Sequence, residues 1–205
     1  MIWFSKHLFD RPQFDNQYSE SWIFVITSLV AMVGLQLFDV RYLRFQQSWF
    51  SQGEFWRVLT AHWVHFNWQH LLLNGLGLVL CVAIARLTWS LPRWLIYNLI
   101  LATGISILFT LRNPELDWYV GYSGVLFGIF VLAAIDLYRT EKVIALLLGI
   151  GVCSKVILEQ TGGMSVTTSE LIGVPVIVDA HLYGLLLALL IALGNQAYTM
   201  AKQKS

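Results

Sequence analysis

The chain has 205 residues, of which 57% are hydrophobic and 12% charged, about half the share of charged residues found in soluble domains. A soluble fold of this length has nowhere to hide so much apolar surface, and the nine Trp, twelve Phe and eight Tyr suit membrane–water interfaces, where aromatic rings collect. A net charge of +1, with no basic face or run to neutralise phosphates, speaks against a nucleic-acid partner. One all-α domain that crosses the lipid bilayer several times is the economical reading.

In chain order, residues 1–20 lack an apolar core followed by a cleavage site, and read as a cytoplasmic N-terminal segment rather than a removable signal peptide. Six apolar runs follow within 21–196, each close to the ~17–20 residues that span a ~30 Å hydrocarbon core. They cover 22–38, 69–87, 94–111, 121–137, 143–158 and 176–195, and 197–205 is left as a short cytoplasmic tail. The fifth run is short. Pro92 and Pro114 punctuate connections, and Gly162, Gly163 and Pro175 mark a loop at 159–175 before the last run.

Residues 39–68, between the first two runs, are too broken by polar residues to span. They hold Trp49, Phe50, Phe55, Trp56, Trp63, Phe66 and Trp68, a density that suits an element lying half submerged in the headgroup region. Eight of the thirteen Lys and Arg fall on one side if both termini are cytoplasmic, which favours that orientation. Cys81 and Cys153 lie in different apolar runs and are expected as two free thiols.

Polar groups inside apolar runs are costly and ask for a reason. Three clusters stand out: His62, His65, His70 and Asn74; then Gly121-Tyr122-Ser123-Gly124; then Ala180-His181 with Gly184. All three sit near the starts of even-numbered runs, so they share one side of the bundle. His181 and Ser123 differ in depth by only ~5 Å at 1.5 Å rise per residue. That level coincides whichever way the bundle is inserted.

A serine and a histidine at one depth on two helices can form a hydrogen-bonded dyad, a nucleophile with its general base. The first turn of the fourth run offers unpaired backbone amides and the positive dipole end beside Ser123 for an oxyanion. His70 and Asn74, four residues apart, share a helix face from which both reach that oxyanion. Phe127 lies on the Ser123 face, where its ring could stack on His181 or simply pack in the core. Gly184, Ala188 and Ala192 make a small-residue stripe facing the Gly124 and Gly128 spacing of the fourth run, which permits close helix approach. Asp179 is two residues from His181 and projects elsewhere, so the pattern reads as a Ser–His dyad with no carboxylate.

At these residues the chain resembles the rhomboid family of intramembrane serine proteases. The resemblance rests on Trp56-Arg57, the stretch from His65 through His70 to Asn74, Gly121-Tyr122-Ser123-Gly124 with Phe127 and Gly128, and Ala180-His181 with Gly184. It covers the six-helix core and implies a six-transmembrane-helix bundle with an interfacial first loop, acting on a transmembrane protein substrate. It implies Ser123 as nucleophile, His181 as base, and His70, Asn74 and the Ser123 amide as oxyanion donors, with no cofactor and no metal. Trp56 and Arg57 then belong to the first loop, and His65 to a hydrogen-bond network below it. Tyr122, where the family commonly has a small or aliphatic residue, is expected to narrow the substrate cleft. The compact size and the stretch Thr60 to His65 look most like the rhombosortase branch of Gram-negative bacteria. That resemblance implies a bacterial inner-membrane enzyme with its site toward the periplasm, processing secreted proteins that end in Gly-Gly, an apolar helix and a basic tail. Two rivals are an inactive rhomboid-like protein that binds membrane clients, and a haem or metal protein built on the histidines, although no His-Glu-x-x-His pattern occurs.

Overall fold

A computed structural model describes residues 12–162 and 165–204. The elements run α1 (Pro12–Gln36), α2 (Val40–Leu43), β1 (Phe45–Gln46), α3 (Arg57–Thr60), α4 (Trp68–Ala85), α5 (Leu91–Arg112), β2 (Trp118–Tyr119), α6 (Ser123–Leu137), α7 (Lys142–Gln160), α8 (Ser165–Ile172) and α9 (Asp179–Lys204). Among the described residues, α1, α4, α5, α7 and α9 are long and apolar enough to cross a membrane, and α6 is a shorter apolar helix. The helices start and stop where local chemistry requires. Asn67 caps α4 by accepting the His70 amide at 2.9 Å, and Arg86 closes that helix in a left-handed turn. Pro92 sits in the first turn of α5, where its missing N–H costs nothing.

The short helix is α6, not the fifth span as the sequence suggests. Helix α7 has 19 residues and α6 has 15. The apolar run ends at Leu158, but the helix continues through Glu159 because that carboxylate is paired within the bundle. The expected loop at 159–175 is interrupted by α8, and Gly163 lies outside the described residues. At the ends, α1 begins at Pro12, well before the apolar run, and α9 continues to Lys204 through the segment expected as a tail.

Helix α6 stands at the centre, packed on α4, α5 and α7 and most closely on α9. Nearly all of it is buried, with Val125, Ile129 and Ala133 at 1% exposure or less. The α6–α9 contact is made backbone to backbone. A Cβ on Gly124 would stand 2.8 Å from the Ala180 carbonyl oxygen, and one on Gly128 would stand 2.9 Å from that of Gly184. A Cβ on Gly184 would fall on the Gly124 carbonyl. Ala188 continues the stripe and is fully buried. Small residues thus set how closely these helices approach.

The segment between α1 and α4 is a folded cap. Strand β1 pairs antiparallel with β2, Phe45 opposite Tyr119 and Gln46 opposite Trp118. Arg57, 4% exposed, holds the cap together: it donates to Glu54 at 2.7 and 3.0 Å and to the carbonyls of Arg41 and Arg44 at 2.8 and 2.9 Å. Trp56 donates to the Tyr42 carbonyl at 3.0 Å. Ser106 of α5 donates to the Val58 carbonyl, and Trp49 donates to Thr110, both at 2.9 Å. Phe50, Phe55, Trp56, Phe66 and Trp68 remain exposed, as suits an element half immersed in lipid.

The glycine contacts yield a direct stability test. Gly184→Ala should lower the thermal unfolding midpoint of the detergent-solubilised protein, consistent with the ~1–3 kcal/mol that overpacking costs. Gly34→Ala, where a Cβ meets nothing within 4 Å, should leave the midpoint unchanged or raise it slightly. Differential scanning fluorimetry of the two variants measures the contrast.

Candidate active site

Ser123 opens α6 directly after a turn that only glycine serves well. Gly121 has φ +122°, and a Cβ there would stand 2.6 Å from His70 Cε1 and 2.8 Å from His70 Nε2. The turn is pinned on both sides: the Gly121 amide donates to the Ala61 carbonyl at 2.9 Å, and the Tyr119 hydroxyl donates to the Gly121 carbonyl at 2.7 Å. The cap therefore holds the serine's turn in place.

His181, 3% exposed, lies in the first turn of α9. Its Nε2 is 2.9 Å from Ser123 Oγ. Phe127, one turn along α6 from Ser123, stacks on the imidazole with ring centroids 4.1 Å apart and planes 7° from parallel. His181 Nδ1 stands 2.7 Å from Glu159 Oε2. This carboxylate corrects the expectation of a bare dyad. Asp179 does project elsewhere, accepting from Asn113 at 2.6 Å, but the partner comes from the end of α7.

The signal for Glu159 was present in the sequence. An odd-numbered span ends at the level where even-numbered spans begin, so the end of the fifth span reaches the level of Ser123 and His181. A glutamate four residues after Lys155 keeps the helical register.

His70 and Asn74 face the same turn, as their spacing on α4 requires. Besides the His70 ring, a Cβ on Gly121 would meet Asn74 Nδ2 at 3.7 Å. Asn74 is 5% exposed, and its Nδ2 has no hydrogen-bond partner among the described residues. The first-turn amides of α6 precede that helix's own hydrogen-bond ladder. Groups from α4 and the start of α6 thus face the turn that carries Ser123. A cavity of about 310 Å³ opens onto Ser123 and His70, between Phe66 and Trp118 on one side and Ile172, Val174 and Pro175 on the other.

Tyr122 does not narrow this cavity. It is fully buried, its hydroxyl donates to Asn98 Oδ1 at 2.5 Å, and it packs against Trp63. Of the two cap histidines, His62 Nε2 meets Ser106 Oγ at 3.1 Å, and His65 packs edge-on against the His70 ring. The backbone of His65 is clamped by Gln36, which accepts its amide at 3.0 Å and donates to its carbonyl at 2.9 Å. Its imidazole nitrogens have no hydrogen-bond partner among the described residues. Cys81 is a buried free thiol and Cys153 an exposed one.

Residues 52–196 match the sequence profile described as the Rhomboid domain. No curated protein matches the chain.

The cap histidines make stability pH-dependent. Burial pushes the pKa of His62 down from 6.5 to about 4 and that of His65 to about 3. Between those values and 6.5 the unfolded chain binds protons that the folded one refuses, so stability is present above pH 6.5 and drains as pH falls. For His62 the displacement amounts to about 3 kcal/mol once pH 4 is passed. The unfolding midpoint should fall steadily from pH 6.5 toward pH 4, and His62→Asn should flatten part of that slope. Thermal melts across the pH series test it.

Proposed function

The chain belongs to the rhomboid family of intramembrane proteases, and from that premise we propose that it is an active serine endopeptidase with Ser123 as nucleophile and His181 as general base. The observation that carries this reading is the 2.9 Å contact between Ser123 Oγ and His181 Nε2, next to a turn faced by Asn74 Nδ2, which has no hydrogen-bond partner among the described residues. Ser123 Oγ attacks the scissile carbonyl carbon while its proton passes to His181 Nε2. The oxyanion is held by the Ser123 amide, His70 and Asn74. The C–N bond then breaks, His181 returns the proton to the leaving amine, and water resolves the acyl-enzyme by the same route. Gly121, Gly124 and Gly184 support this chemistry by permitting the close approach, and Phe127 by stacking on the base. Trp56, Arg57 and His65 support it through the cap. A client-binding protein without activity would have no use for a hydroxyl, an imidazole and open donors brought to one point.

Family members act within the lipid bilayer on membrane-anchored substrates. For this chain we propose six membrane crossings within 21–196, with α6 as the fourth, both termini cytoplasmic, and the site toward the periplasmic side of a bacterial inner membrane. The substrate class we assign is the rhombosortase one: secreted proteins held by a C-terminal Gly-Gly, an apolar helix and a basic tail. The physical support is that helical backbone shields its carbonyls, whereas each glycine costs about 1 kcal/mol of helix stability and unwinds readily.

Two experiments test these statements. A fluorophosphonate probe should label wild type at Ser123, while Ser123→Ala and His181→Ala remain folded, unlabelled and inactive. Asn74→Ala and His70→Ala should keep residual activity, each down up to ~10²–10³-fold as for loss of one oxyanion donor. Proteolysis retained by Ser123→Ala removes the reading. Separately, a reporter ending in Gly-Gly, an apolar helix and a basic tail should be clipped in cells carrying the enzyme and protected when both glycines become Leu. Equal cleavage of a reporter with an internal helix leaves the protease and removes the rhombosortase assignment.

A further inference from the structure

Glu159 is the penultimate residue of α7, and its side chain is 1% exposed. A carboxylate buried without partners is strongly destabilising, and this one has two. Oε1 accepts from Lys155 Nζ, one turn back on α7, at 2.5 Å. Oε2 stands 2.7 Å from His181 Nδ1. An ordinary helical ion pair of this spacing lies on the helix surface and needs only the first contact. The second crosses from α7 to α9 and uses the oxygen that Lys155 leaves free. Lys155 also places its ammonium 5.8 Å from the centre of the Phe127 ring, the ring that stacks on His181.

We propose that Glu159 is a positioning residue for the reaction: it holds His181 as the Nδ1–H tautomer, so that a Ser–His–Glu triad spans α6, α9 and α7. The inference rests on Ser123 and His181 being nucleophile and base. An ionised carboxylate can only accept, so a hydrogen bond at 2.7 Å puts the proton on Nδ1. Nε2 then carries its lone pair toward Ser123 Oγ. When the hydroxyl proton arrives at Nε2, the ring becomes a cation flanked by the carboxylate, which stabilises it without taking the proton. Lys155 leaves the resting carboxylate paired, so Glu159 stays ionised without drawing the proton off Nδ1. No bond forms or breaks at Glu159.

The test compares Glu159→Gln and Glu159→Asp with wild type, full-length and reconstituted in vesicles. Read-outs are kcat and KM on a cleavable transmembrane reporter and the rate of fluorophosphonate labelling at Ser123. A glutamine amide can donate as well as accept and so releases the tautomer. Glu159→Gln should lose on the order of 10²–10⁴-fold in kcat and in labelling rate, with KM within about twofold, since loss of the triad acid acts on the transition state. Glu159→Asp should recover at least about tenfold over Gln, because it restores an acceptor-only group on a shorter arm. Nitrogen NMR of imidazole-labelled wild type, with the His181 signals assigned by their absence in His181→Gln, should show a protonated Nδ1 and an unprotonated Nε2. That measurement stands even if a Glu159 variant does not fold.

A Glu159→Gln enzyme with kcat within about threefold of wild type overturns the inference. So does a His181 protonated at Nε2, or an equal loss in both variants accompanied by a lower unfolding midpoint. In each of these cases wild type still labels at Ser123, and the protease reading survives. Absence of labelling in wild type removes that reading first.

Discussion

The site depends on how closely two backbones can touch. Ser123 and His181 are short side chains on separate helices, and a hydrogen bond between them requires α6 and α9 to approach more closely than side-chain packing allows. Gly124, Gly128 and Gly184 remove the obstruction, each lying against a backbone oxygen of the facing helix. In lipid, helix association draws little on the hydrophobic effect and much on such close packing. The contact that holds the bundle's centre together is thus the same one that sets the distance between hydroxyl and imidazole. A larger residue in the stripe would act on both at once.

The cap does for the Ser123 turn what the glycines do for the helices. Gly121 adopts a positive φ with His70 packed against its missing side chain, and its amide is bound to Ala61 while Tyr119 grips its carbonyl. Ala61 follows α3, whose position depends on the buried Arg57 and on Ser106 of α5. Tyr119 is tied by strand pairing to Phe45. Backbone at the mouth of a membrane bundle must have its polar groups satisfied by protein where lipid offers none. Here the partners that satisfy it also fix where Ser123 stands.

Much of this was legible in the sequence, because burial in a membrane makes polar residues conspicuous. Ser123, His181, His70 and Asn74 stood out against apolar runs, and helix polarity put them at one level. Helical spacing on α4 placed His70 and Asn74 on one face, and the same spacing on α6 put Phe127 on the face of Ser123. Glu159 was missed because hydropathy ends a span at the first charge, which assigned it to a loop. Its pairing with Lys155, one turn back, and with His181 across on α9 makes it part of the helix. The direction of Tyr122 is not legible for a different reason. A bulky residue beside the nucleophile can turn either way, and its direction is decided by a hydroxyl acceptor, Asn98, on α5. Local pattern carries no information about such long-range partners.

The length of α6 adds a last constraint. Its 15 residues rise about 22 Å, some 8 Å short of a ~30 Å hydrocarbon core. A lipid-facing helix would meet that shortfall by thinning the bilayer. Helix α6 is surrounded by α4, α5, α7 and α9, so it can end inside the bundle while longer neighbours span. The space above its first residue must then be filled by non-helical backbone or left open, which is tolerated at membrane depth only where it is buried in protein or lines a cavity. The turn around Gly121 fills part of it, and the cavity beside Ser123 and His70 is what remains. A serine that opens onto a cavity at the head of α6 is therefore what a short helix at the centre of a bundle of long ones allows.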